Sequence, residues 1–154
     1  MLKLTLHSIS TKDWKAHDAW VKIEYGECKK VERQLQKVYK LRKNVALTEQ
    51  KAKNVIESVC SLLSLNRARI RVCETESWDN TSSYQRICGI GIIVFVISQL
   101  NTHTVLHELA HHVCAEERWN ACSKQSVMHG DAFCDALEFV YEAHSEVKSQ
   151  NDAI

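Results

Sequence analysis

Residues 87–117 read ICGIGIIVFVISQLNTHTVLHELAHHVCAEE, and this stretch decides the fold. Ile90 to Ile97 is a run rich in β-branched residues, far shorter than the roughly 18–20 residues of a spanning helix, and it predicts a well-buried strand. Gly89 and Gly91 at its start predict a bulge or a close backbone approach. Asn101 or Thr102 then caps a helix running to about Ala115, with Val105, Leu106, Leu109, Ala110 and Val113 as its apolar residues. A buried strand followed after a short turn by an amphipathic helix points to an α+β fold, a small sheet of about three strands covered by helices.

Inside that helix lies His107-Glu108-Leu109-Ala110-His111, an H-E-x-x-H motif in the helical context it requires. Residues four apart share a helix face with Cβ atoms about 5–6 Å apart. Two imidazoles so placed reach one Zn²⁺ at about 2.0–2.1 Å each. Glu108, about 100° round the helix from His107, misses the metal and meets its activated water. Chance alone places such a motif in a chain of this His and Glu content about 3% of the time. His112 also points about 100° away from His111 and is a poor ligand, suited to packing or to a place beside the site.

A catalytic zinc takes three protein ligands and keeps a fourth position open. The compact extension H-E-x-x-H-x-x-G-x-x-H is not present, because Cys114 and Glu117 stand where its Gly and final His belong. The best third ligand is His129 in Met128-His129-Gly130-Asp131-Ala132-Phe133, reached over a linker of about 117–127, with Phe133 anchoring the next helix in the core. Asp131, Asp135 or Glu138, and then Glu116 or Glu117, are the acidic alternatives.

Working outward, that last helix spans about Gly130 to Val147, with Ala132, Phe133, Ala136, Leu137, Val140, Tyr141 and His144 along one face. Upstream, Ile70–Val72 reads as a half-buried strand, and Lys51–Leu65 as a helix capped by Thr48 with Val55, Ile56, Val59, Leu62 and Leu63 inward. Residues 77–86, holding Trp78 and Tyr84, read as a polar loop. Residues 28–43 are a basic amphipathic helix with Val31, Leu35, Val38 and Leu41 on one face. Val21–Tyr25 and Leu2–Leu6 alternate as short strands do. The expected organisation is one domain over 1–154: a peripheral segment 1–27, a core 28–147 and a frayed tail 148–154.

A chain of 154 residues with 45% hydrophobic and 25% charged residues can bury one core, which excludes disorder and a disulfide-dependent scaffold. The 7 cysteines are odd in number and irregularly spaced, so they are expected as reduced, small buried hydrophobes. The N-terminal stretch has no continuous apolar run of the export type, and a cytoplasmic location follows. The net charge of +1 hides a division: residues 1–75 hold 16 Lys+Arg against 8 Asp+Glu, and residues 76–154 hold 4 against 11. Such polarity marks a surface for nucleic acid or an acidic protein, or two lobes that attract each other.

LHELAHH followed by HGDAF resembles the SprT-like (Spartan-type) zincin metallopeptidases, whose pattern is H-E-x-x-H, a variable linker, then H-G-x-x-[FW]. The order helix, strand, Tyr-containing loop, strand, metal helix is similar, and RQLQKVYKLRK is similar to the opening of small metallohydrolases of bacteria and phages. The resemblance covers roughly 31–147, and its specific part is the two metal motifs. It implies zinc on His107, His111 and His129 with Glu108 as the catalytic base. No C-terminal zinc ribbon accompanies these motifs, so the resemblance reaches the metal site and not a DNA-repair role.

The function expected is therefore a zinc-dependent metallohydrolase, a peptidase in which Glu108 takes a proton from zinc-activated water and hands it to the leaving amine. If the Ile90–Ile97 strand lies at the sheet edge, an extended peptide would pair with its free edge, and Tyr84 is a weak candidate for stabilising the oxyanion. The alternative is a non-catalytic, zinc-stabilised binding module whose basic N-terminal half binds nucleic acid or an acidic protein. No membrane partner is expected.

Overall fold

The computed structural model of the chain describes residues 26–41, 45–74, 82–116 and 131–152, with Asp131 described in its backbone alone. Among the described residues four helices and a three-stranded sheet make an α+β architecture: α1 (26–38), α2 (Glu49–Leu62), β1 (Arg69–Cys73), β2 (Ser83–Ile87), β3 (Ile90–Val96), a 3₁₀ turn (Ile97–Gln99), α3 (Thr102–Glu116) and α4 (Asp131–Asp152). The expected strands at 2–6 and 21–25, together with Trp78, Cys122, the 117–127 linker and His129, lie outside the described residues.

The sheet order is β1-β3-β2, with β1 parallel and β2 antiparallel to β3. This corrects one expectation and decides a condition set on another. Residues 77–86 are not loop throughout, since Ser83–Ile87 form β2. The Ile90 strand is not an edge either, because both its edges are taken. The β2–β3 turn is Cys88-Gly89, at φ 50° and 77°, the paired positive values of the tight two-residue hairpin turn. Glycine adopts this freely, whereas Cys88 sits there exposed, unlike the buried cysteine expected.

Alternation along β3 buries Gly91, Ile93 and Phe95, with Ile92 and Val94 half-exposed on the other face, where only the terminal Val96 is also buried. Register brings Tyr84 opposite Ile93, Arg86 opposite Gly91, and Ile70 and Val72 opposite Ile93 and Phe95. Directly paired residues share a face. Against that face packs α3, whose Val105, Leu106, Leu109 and Ala110 are fully buried, and α4 closes the other side with Phe133, Ala136, Leu137, Val140 and Tyr141.

Capping follows the sequence. Thr48 Oγ1 accepts from Lys51 N at 3.2 Å, and Asn101 Oδ1 accepts from Thr104 N at 2.9 Å. With Gly at 4 and Pro absent, α1 and α2 stop at left-handed residues that are not glycine, Lys40 at φ 52° and Ser64 at φ 55°. Each carries the backbone bond of a Schellman stop, Leu41 N to Gln36 O and Leu65 N to Cys60 O. The α1 stop precedes the predicted end at 43 and leaves Val38 64% exposed, not inward. By contrast α4 runs past Val147 to Asp152, so its last turns are helical where fraying was expected.

His144 of α4 is held below the ordinary histidine range by burial, and Lys148 one turn on acts in the same direction. The unfolded chain therefore binds the extra proton first as pH falls through about 6.5. Stability from this group is complete above that pH and declines below it, by at most about 1.4 kcal/mol per pH unit. Urea midpoints between neutral and mildly acid pH should fall less steeply for His144→Gln than for the parent, and equal slopes would contradict the assignment.

Candidate metal centre

The motif residues occupy the middle of α3, a helix buried on nearly every side. His107 and His111 are four apart, and their rings meet edge-on with centroids 5.3 Å apart. Phe133, near the start of α4, packs on both, at 5.0 Å from His107 and 4.3 Å from His111. Phe133 thus anchors α4 as expected and also holds the two imidazoles in place.

Glu32 of α1 completes this side of the site. Its Oε1 lies 2.9 Å from His107 Nδ1, and the two side chains are only 15% and 20% exposed. A carboxylate accepts, so Nδ1 carries the hydrogen, the arrangement in which a metal-binding histidine donates its other ring N–H. Burial alone would lower the His107 pKa, but the bond and charge of Glu32, with Glu108, outweigh it and hold this imidazole above its ordinary range. Glu32 was missed in the sequence because it lies 75 positions from its partner, in a helix read for its basic face. The signal present was a single acid among the cations of 29–43.

Glu108 is 6% exposed, close enough to His107 and Glu32 to feel both. Burial pushes its carboxyl up to about 7, against the pull of His107 and with a further push from Glu32. A carboxyl so placed takes up or releases a proton near neutrality.

His112 is fully buried and belongs to the packing. Its Nε2 meets the Asn66 carbonyl, which can only accept, so the hydrogen is on Nε2 and Nδ1 is the acceptor. Tyr84 Oη, 3.1 Å away, donates to that Nδ1. Burial lowers the His112 pKa and raises that of Tyr84, so both stay neutral. The one hydroxyl proton of Tyr84 is thereby committed to His112, which leaves none to donate to an oxyanion. The Tyr84 ring instead lies stacked alongside His111, 6.4 Å between centroids at 12°.

Of the acidic alternatives for a third ligand, Glu116 is paired with Arg86 at 2.9 Å, and Asp135 and Glu138 are on the exposed side of α4. Glu117 and His129 lie outside the described residues, as does the Asp131 side chain. Among the described residues no group of three or more His, Cys, Asp or Glu side chains is arranged to hold a metal ion. No helix among them is long and apolar enough to cross a membrane. Comparison with protein-family models, curated proteins and solved structures finds no match in any of the three.

Proposed function

We propose that this chain is a zinc-dependent metallohydrolase of the SprT-like zincin type, acting on peptide bonds in the cytoplasm. The observation that carries the reading is the Glu32–His107–His111 arrangement, in which a carboxylate fixes one imidazole through its Nδ1 beside a second imidazole one turn on. Metal-binding histidines almost always donate their other ring N–H in this way. His107 and His111 would hold the ion with His129 as third ligand, supported by Phe133, four residues after His129, packing on both rings. When bound, zinc supplies Lewis-acid polarisation of a carbonyl and makes water more acidic.

Glu108 accepts the proton of the attacking water and passes it to the departing amine. Glu32 keeps His107 in one tautomer and orientation. A substrate strand adds to the outer edge of β2, since β3 has no free edge. A purely structural metal site has no use for a buried acid beside the histidine pair, which favours the enzyme over a binding module.

The test is metal content by plasma mass spectrometry on parent, His129→Ala and Glu32→Ala purified in parallel. About one zinc per chain is expected in the parent, with clear loss in His129→Ala and an affinity roughly 10–100-fold weaker in Glu32→Ala. Zinc retained in His129→Ala would move the third ligand to an acidic residue. No zinc in the parent after reconstitution would end the hydrolase reading.

A further inference from the structure

The basic residues of α1 are arranged around the candidate centre in a way the reaction does not require. Lys29, Arg33 and Lys37 follow at steps of four, which at about 100° per residue keeps them within one side of the helix, and Lys40 follows at its left-handed stop. Two adjoining cavities run along that side. The one nearer the centre, about 320 Å³, lies between Lys29, Glu32, Arg33 and Gln36 of α1 and His103 and Thr104 of α3. The other, about 360 Å³, continues from Arg33 and Gln36 to Lys37 and Lys40.

Three observations say what fits there. Glu32, the acid in the lining, is turned to His107, so the groups facing the cavity are cations and amide or hydroxyl donors. Arg33, Lys37 and Lys40 make no ion pair among the described residues, whereas Lys30, Lys53, Arg67 and Arg86 each have a carboxylate within 3.1 Å. Finally, His103 Nε2 is a buried atom with no hydrogen-bond partner among the described residues, and its side chain lines the nearer cavity. His103 precedes His107 by one helical turn, about 5–6 Å, which an extended peptide covers in about two residues.

We infer that the α1 face from Lys29 to Lys40 is a substrate subsite for an acidic peptide segment, seating Asp or Glu side chains about two residues from the bond to be cleaved. It rests on the hydrolase reading for the position of that bond. A peptide fits better than single-stranded nucleic acid, because among the described residues no Phe, Tyr or Trp lines either cavity to stack a base.

The experiment is fluorescence anisotropy with a labelled Glu-rich peptide and its Gln counterpart, on the full chain in chelator, so that binding is read without turnover. The Glu peptide should bind about tenfold or more tighter than the Gln peptide. Arg33→Gln/Lys37→Gln should abolish that preference, and Arg33→Lys/Lys37→Arg should keep it. Unchanged melting temperatures would confirm that the variants fold. Equal binding of the two peptides overturns the inference, as does a preference that survives the double Gln variant. An oligonucleotide of equal charge that binds more tightly and displaces the Glu peptide also overturns it, assigning the face to a phosphate backbone. Zinc content, measured on aliquots of the same preparations taken before chelator is added and after reconstitution with zinc, separates the two readings. An acidic preference in a chain that takes up no zinc keeps the binding face and removes the hydrolase.

Discussion

Replacing Gly91 by alanine should destabilise the chain by about 2–5 kcal/mol, combining overpacking with disruption of a buried hydrogen bond. A Cβ at this position would meet His112 Nδ1 and lie 2.7 Å from His112 Cε1 and 2.8 Å from Tyr84 Oη. Neither neighbour is a flexible end that swings aside. His112 is fully buried and held at both ring nitrogens, by Asn66 O and Tyr84 Oη. The sign of the effect is informative. A strand glycine with room around it gains about 0.5–1 kcal/mol on becoming alanine, because the unfolded chain loses freedom. Gly89 is the matched control: nothing stands near its Cβ position, so Gly89→Ala meets only its φ of 77° and should cost about 1–2 kcal/mol. Urea denaturation of both variants checks this, and a Gly91→Ala chain as stable as the parent would contradict the contact. Function follows from the same geometry, because a displaced His112 moves the α3 turn that carries His111.

How far the sequence reaches is visible at these same residues. The close approach at Gly91 is legible as a glycine in a β-branched run, but what approaches it is not. That α3 carries His107 and His111 on one face follows from their spacing alone. Spacing says only that His112 points elsewhere, and the sheet filling that side makes it a buried residue. β2 is hidden because SWDNTSSYQR has the composition of a turn. It is a strand through pairing with β3, through the inward side chain of Tyr84 and through the exposed Arg86 that reaches Glu116 of α3, so its signal lies in the partner. Val38 follows the helical period yet is exposed, because periodicity does not reveal the left-handed stop at Lys40. Glu32 is the costliest omission. A lone acid on a basic helix reads as a surface charge, and only the packing of α1 against α3 brings it to His107.

Glu108→Gln should lower turnover by about a thousandfold or more while leaving zinc content and fold intact. General acid–base transfer by a positioned side chain contributes about 10²–10⁴-fold, and an amide of the same shape cannot exchange that proton. Two features make the substitution a clean test. Glu108 follows His107 directly but lies about 100° round the helix from it, so the change removes no imidazole from the ligand face. It is also 6% exposed, and burial sets its pKa near 7, so as pH rises from the ordinary carboxylate range through about 7 the folded chain increasingly carries an ill-solvated carboxylate. Its folded value is raised, so at mildly alkaline pH ionised Glu108 opposes folding in the metal-free chain. Glutamine removes that charge and should raise the urea midpoint there, by a stability on the order of 1–3 kcal/mol, with the gain vanishing near pH 4. A dead variant that is less stable or has lost zinc would indicate a disturbed site and not a missing base. A variant retaining turnover within tenfold of the parent would take the proton transfer away from Glu108. The expected combination, inactive yet at least as stable and fully loaded, arises only if the carboxyl is kept buried beside His107 at the expense of folding.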